Sequence, residues 1–194
     1  MRWTEQAAEL PLQPLAALAT RLPGIDALLD ELVPADGLVI AVASAAADDV
    51  LRHLALHDEE QGGLLLGEVY SGNAAATGSR VVHVTQAVAA KDFASTGMSL
   101  RMASGVWEDA RARLGPDELV VGWYHSHPGL GAFFSDTDRR TQRAFFAQAY
   151  SVGWVVDPLG GEAAWFVGPG SSPPARVVRE PPVPGTAADT DREP

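Results

Sequence analysis

Residues 123–138 read Trp123-Tyr124-His125-Ser126-His127-Pro128-Gly129-Leu130-Gly131-Ala132-Phe133-Phe134-Ser135-Asp136-Thr137-Asp138. The stretch leading in, Glu118 to Tyr124, is apolar and β-prone, which places His125 and His127 at a strand end. Alternate strand residues share a face, so both imidazoles point the same way. Pro128, Gly129 and Gly131 supply a turn. Ser135 then opens a helix-like stretch, and Asp138, three residues on, faces the same side. Two imidazoles and a carboxylate are three ligands for zinc with a fourth position left for water, the pattern of a catalytic rather than a structural site. Singly, each residue has an ordinary explanation: strand histidines with satisfied hydrogen bonds, or a helix N-cap and its partner three residues on. Their occurrence together around one short turn favours the metal site.

The stretch resembles the JAMM signature of MPN-domain metalloproteases, His-x-His-Pro, a spacer and Ser-x-x-Asp, and the match is complete. That family also carries an upstream glutamate in a Glu-x-x-Gly stretch followed by apolar residues and a second glycine. Glu60-Gln61-Gly62-Gly63-Leu64-Leu65-Leu66-Gly67 has that form, and the likeness runs over residues 37–168. The resemblance implies an α/β fold of the MPN (JAMM, cytidine-deaminase-like) type, a central mixed β-sheet flanked by helices. It implies Zn2+ on His125, His127 and Asp138, with Glu60 as general base and then acid and Ser135 as a hydrogen-bond donor to the developing oxyanion. By composition alone Glu60 is one member of a solvated acidic turn, Asp58-Glu59-Glu60. The resemblance selects Glu60, with Glu59 the alternative if the register is off by one.

Members of that family cleave an isopeptide or peptide bond after the C-terminal glycine of a ubiquitin-like protein. The chain looks like a bacterial stand-alone member, with a ubiquitin-like protein or its conjugate as substrate. A homodimer or a complex with ubiquitin-like pathway enzymes is left open. So are two other readings, a catalytically silent MPN scaffold and a zinc hydrolase of a small amide.

Composition narrows the classes. Hydrophobic residues are 46% and charged residues 20% of 194, enough for a core. There is no cysteine, so any metal must be held by histidine and carboxylate. Fourteen basic residues against 25 acidic ones give a net charge of -11, which argues against nucleic acid. No apolar run reaches the length of a spanning helix. The first residues lack the basic start and hydrophobic block of a signal peptide. A cytoplasmic location without membrane attachment is the expectation.

Three regions are expected: an N-terminal helical segment, 1–34, the MPN/JAMM domain, 35–169, and a disordered Pro-rich tail, 170–194. Apolar spacing predicts two short helices before residue 34, around Leu15–Leu22 and Ile25–Leu32, packed on the main domain. Strands are predicted at Leu38–Val42, Gly63–Tyr70, Arg80–Val88, Val152–Pro158 and Ala163–Val167. Helices are predicted from Ser44, as cap, through Leu56, over 99–114, and over 136–150 with Phe145 and Phe146 on the apolar side. His53 and His57 read as helix-surface residues rather than ligands, and His83 as structural. The loop from Lys91 to Leu100 corresponds to a segment that can act as a substrate-pairing flap in related JAMM proteases. The short turn at 159–161 leaves no room for the insertion with which some members choose polyubiquitin linkages. Seven of the 14 prolines follow residue 168, the basis for the disordered tail.

Overall fold

The structure, a computed structural model, describes residues 12–22, 37–56, 58–71, 80–91 and 104–180. In chain order the elements are β1 (Leu12–Pro14), α1 (Leu15–Arg21), β2 (Leu38–Val42), α2 (Ser44–Leu54), β3 (Gly62–Ser71), β4 (Arg80–Ala89), α3 (Ser104–Arg113), β5 (Leu119–Ser126), α4 (Asp136–Phe145), β6 (Val152–Asp157), β7 (Glu162–Val167) and β8 (Arg176–Arg179). One mixed sheet runs β7-β6-β5-β3-β4-β2-β8. This is the α/β architecture expected, a mixed sheet with helices against it.

β3 is the organising strand. Leu64, Leu65 and Leu66 are all fully buried, because the sheet is covered on both faces. Leu65 joins a core with Val50 and Leu54 of α2, while Leu64 and Leu66 join one with Val106 and Ala110 of α3. A strand covered on both sides reads as a continuous apolar run rather than an alternating one. Each leucine contributes roughly 1.5–3 kcal/mol by leaving water. β5 pairs with the first part of β3, from Gly62 to Gly67, and β1 takes over the same edge from Val69 to Ser71. The N-terminal segment thus completes the sheet as well as packing on it. Leu18 of α1 is buried against Val39, Ala41, Tyr70 and Val81. The second expected helix lies outside the described residues.

The expectations need correction in three places. Arg176–Arg179, assigned to the disordered tail, forms β8, parallel to β2. The prolines at 173, 174 and 181 flank this strand without interrupting it, and Val178 packs on the Leu18 cluster. Residues 181–194 lie outside the described set. The helix after the signature ends at Phe145, not near 150, and Phe145 is 63% exposed whereas Phe146 is 3% exposed. Phe146 is the C-cap, with φ -126° and ψ 46°, so the backbone leaves the helix there and turns its ring inward while Phe145 stays on the outer side. Finally, Ser44 is the first residue of α2 and Ala43 its N-cap; the Ser44 hydroxyl donates to the Glu180 carbonyl. Of the helix expected over 99–114, residues 104–114 are described and 104–113 form α3; the expected flap lies outside beyond Lys91.

Two glycines of the upstream motif have a steric reason. A Cβ on Gly63 would sit 2.1 Å from the Val88 carbonyl oxygen, and one on Gly67 would sit 1.9 Å from that of His83. β4 crosses β3 too closely for any side chain there. Gly67→Ala is expected to destabilise the fold by about 1–3 kcal/mol through overpacking. Equal urea midpoints for the variant and the parent would reject this account.

Candidate metal centre

Alternation along β5 puts Trp123, His125 and His127 on one face, against Phe134. The indole stacks flat on the His125 ring, centroids 4.4 Å apart, and its Nε1 donates to Gln142 Oε1 at 2.7 Å. Gln142 Nε2 in turn donates to the carbonyls of Phe146, Ser151 and Gly168. Gln142 stands one helical turn after Asp138, on the same side of α4. Pinning Gln142 to the strand therefore aims Asp138 at the imidazoles.

The result is a buried triad. His125 Nε2 lies 3.1 Å from His127 Nε2 and 3.2 Å from Asp138 Oδ1, and His127 Nε2 lies 3.5 Å from Asp138 Oδ2. Side chains of all three are nearly removed from solvent. Such lone-pair atoms can share at most a proton or two, whereas one cation at their centre would satisfy them all. Zinc bonds of about 2.0–2.1 Å in a tetrahedron imply donors about 3.3 Å apart, which the observed separations straddle. The donor set and its spacing fit a zinc ion. Burial lowers His125 below its ordinary value, against the hydrogen bond and charge of Asp138. Burial also pulls on His127, but the hydrogen bond and charge of Asp138, the charge of Glu60 and the Gly131 carbonyl hold it above. Burial likewise pushes the Asp138 carboxyl up, yet hydrogen bonds from both imidazoles and Ser135 keep it well below the usual range. Asp138 is thus a carboxylate at any ordinary pH.

Ser135 is the N-cap of α4. Its hydroxyl donates to Asp138 Oδ2 at 2.6 Å, its N–H donates to the same oxygen at 2.7 Å, and its Oγ accepts from the Asp138 N–H at 3.2 Å. The helix-capping reading is thus met, and the same box fixes the carboxylate that faces the histidines. Glu60 lies two residues before β3. Gly62 stands opposite His125, and Ser126 N donates to the Gln61 carbonyl at 2.8 Å while its Oγ accepts from Gln61 N at 3.0 Å. Continuing that register places Glu60 beside His127. Asp58 and Glu59 are exposed; Glu60 is half-buried, and its charge is felt at both imidazoles.

The other histidines stand apart. His53 bonds the Tyr124 hydroxyl at 3.0 Å, and His57 lies outside the described residues. His83 is buried beside Glu68 and Glu180. Glu68 is eight residues along β3 from Glu60, about 26 Å at strand rise. Among the described residues His125, His127 and Asp138 are the group whose donors converge.

A family model described as prokaryotic homologs of the JAB domain matches residues 41–167. The chain belongs to this family. It is 35% identical over 133 residues to the 26S proteasome non-ATPase regulatory subunit 14 of Dictyostelium discoideum, covering 66% of this chain and 41% of that protein. It is 36% identical over 102 residues to the ubiquitin carboxyl-terminal hydrolase RPN11 of Saccharomyces cerevisiae, covering 50% of this chain and 31% of the relative. The chain thus spans under half the length of these curated relatives. A solution structure of a protein from Desulfitobacterium hafniense shares the fold, with a TM-score of 0.52 and 16% identity, covering 75% of this chain and 95% of that one. Among the described residues no helix is long and apolar enough to cross a membrane.

The sequence reading of this JAB domain missed two residues. Gln142 is the anchor already described, detectable only as a polar residue one turn beyond Asp138. Asp157 ends β6, and its carboxylate accepts from four backbone N–H groups: Gly129 at 2.8 Å, Gly131 at 2.9 Å, Leu159 at 3.0 Å and Gly160 at 2.9 Å. Gly129 and Gly131 have φ of 72° and 90°, so this turn needs residues free to adopt the left-handed region. The N–H bonds from Gly160 and Gly129, ahead of those from Gly131 and Leu159, lower the Asp157 carboxyl to about 2. An aspartate followed by Pro-Leu-Gly-Gly is a turn-capping signal in sequence.

Asp138→Ala is expected to lower zinc retention, and unchanged zinc content by metal analysis would reject Asp138 as a ligand. Asp157→Ala is expected to lower the melting temperature at pH 7. Because the folded carboxyl lies below its unfolded value, the stabilisation is complete above about pH 4 and fades as pH falls towards 2. The gap between parent and variant melting temperatures should narrow over that window, and a gap independent of pH would reject the charge-based anchor.

Proposed function

We propose that the chain is a zinc-dependent peptidase or isopeptidase, cleaving the amide after the C-terminal glycine of a ubiquitin-like protein. The observation that carries this reading is the convergence of His125, His127 and Asp138, with Gly62, two residues after Glu60, paired opposite His125. Three protein donors leave a tetrahedral ion one position for water or substrate. Zinc, when bound, polarises a carbonyl and acidifies a water to a pKa of about 7.

The chain's own residues do the rest. A Glu60 carboxylate oxygen takes a proton from the attacking water and delivers it to the leaving nitrogen, as base and then acid. His125, kept neutral by burial, retains a lone pair for the ion, and Asp138 brings the charge that offsets it. The Ser135 hydroxyl, which donates to Asp138, can rotate about its Cβ to donate to a carbonyl oxygen as charge develops there. The substrate class is supported by the relatives, one of which is named a ubiquitin carboxyl-terminal hydrolase. The net charge of -11 is compatible with drawing in a basic substrate tail.

Glu60→Gln is expected to keep its zinc and lose cleavage of a ubiquitin-like fusion by about 10²–10⁴-fold, the usual contribution of a positioned base. Near-normal turnover would mean that another group moves the proton. Zinc-loaded parent protein that hydrolyses small amides but no fusion would replace the ubiquitin-like substrate with a small one. A parent that retains zinc and cleaves neither would leave a scaffold.

A further inference from the structure

Ser126 stands between the two histidines, and Gln61 is the residue after Glu60. In a regular antiparallel pair, two residues opposite each other exchange two backbone hydrogen bonds. Here one of the two is replaced. Ser126 N–H donates to the Gln61 carbonyl at 2.8 Å, but the return bond, from Gln61 N–H, goes to the Ser126 hydroxyl at 3.0 Å. That hydroxyl also lies 3.5 Å from the Gln61 carbonyl oxygen, so one serine grips both polar groups of one peptide residue. The ladder stops at this point, with β3 beginning at Gly62 and β5 ending at Ser126.

The grip falls where the approach to β3 has little else to hold it. Among the described residues, every hydrogen bond made by 58–61 runs between Gln61 and Ser126. Ser126 is itself well fixed. It is fully buried, it pairs with Val156 of β6, and the next N–H, that of His127, donates to the Val156 carbonyl at 2.9 Å.

Strand parity turns this grip into a choice of acid. Residues opposite one another share a face, and neighbours along a strand alternate. Gly62 stands opposite His125, so Gln61 takes the face of Ser126 and Glu60 that of the histidines. A slip of one residue would exchange the faces and bring Glu59 round in its place. The Glu60 charge is felt at both imidazoles.

We propose that Ser126 is a positioning residue for Glu60: its hydroxyl, standing in for a backbone carbonyl, locks Gln61 opposite the histidine strand and so holds the Glu60 carboxylate at the metal centre. This proposal rests on the reading of Glu60 as the proton carrier of an amide-cleaving site.

A double-variant cycle tests it through two readouts. In zinc-loaded protein, Ser126→Ala should lower kcat on a ubiquitin-like fusion about tenfold with KM and zinc content unchanged, since a misplacement of about 1 Å costs up to about 10²-fold. Placed on Glu60→Gln, the same substitution should change the residual kcat by less than about twofold, because a residue that acts through Glu60 then has nothing to position. The second readout needs no turnover. In cobalt-loaded protein, Glu60→Gln and Ser126→Ala should each shift the visible absorption bands, and the double variant should match Glu60→Gln alone. Ser126→Cys, whose thiol is a weaker acceptor, replaces Ser126→Ala in both cycles if the alanine variant fails to fold. Equal kcat losses in the two backgrounds, no loss in the parent background, cobalt shifts that add, or Glu60→Gln bands identical to the parent's would overturn the positioning role. A parent that cleaves no amide while the cobalt cycle shows the coupling would sink the hydrolase reading and leave Ser126 as the residue that positions Glu60.

Discussion

Three lone-pair donors face one another in a buried space, and much of the molecule is arranged to keep them there. Two imidazole nitrogens and a carboxylate at 3.1–3.5 Å would not gather so tightly in an apolar interior without a compensating positive charge. The surrounding contacts resist their separation. Trp123 stacks on His125 and is itself pinned through Gln142 to α4, and the Ser135 box fixes the Asp138 carboxylate. His125 and Asp138 are thus each held by a neighbour outside the cluster, the ring by stacking and the carboxylate by hydrogen bonds.

The same economy holds along β3. Its glycines let β4 cross at close range, and its leucines anchor both cores. Its first residues align with the strand of the histidines. A rigid central strand thus sets the position of the segment just before it against the strand of the histidines. Ser126, between the two histidines in sequence, points the other way and clamps Gln61.

Asp157 adds a second anchor on the opposite flank. Four N–H groups converging on one carboxylate turn a glycine-rich connection, which would otherwise sample many conformations, into a fixed turn.

Much of this was legible in the residues themselves. Strand period two placed His125 and His127 on one face, the Ser135 and Asp138 spacing marked a helix start, and the run Leu64-Leu65-Leu66 announced a strand buried on both sides, because local periodicity reports local geometry. Which of Asp58, Glu59 and Glu60 approaches the histidines was not local information, since an acidic turn looks the same wherever it points; the β3–β5 register decided it. Nor could composition tell that Arg176–Arg179 leaves its proline-rich surroundings to pair with β2, because a strand's partner is chosen by a free edge elsewhere in the sheet. Gln142 was silent for the same reason, and the turn signal at Asp157 did not say which other turn it would bind: a polar side chain acquires its role from the backbone and rings that folding brings within 3 Å of it.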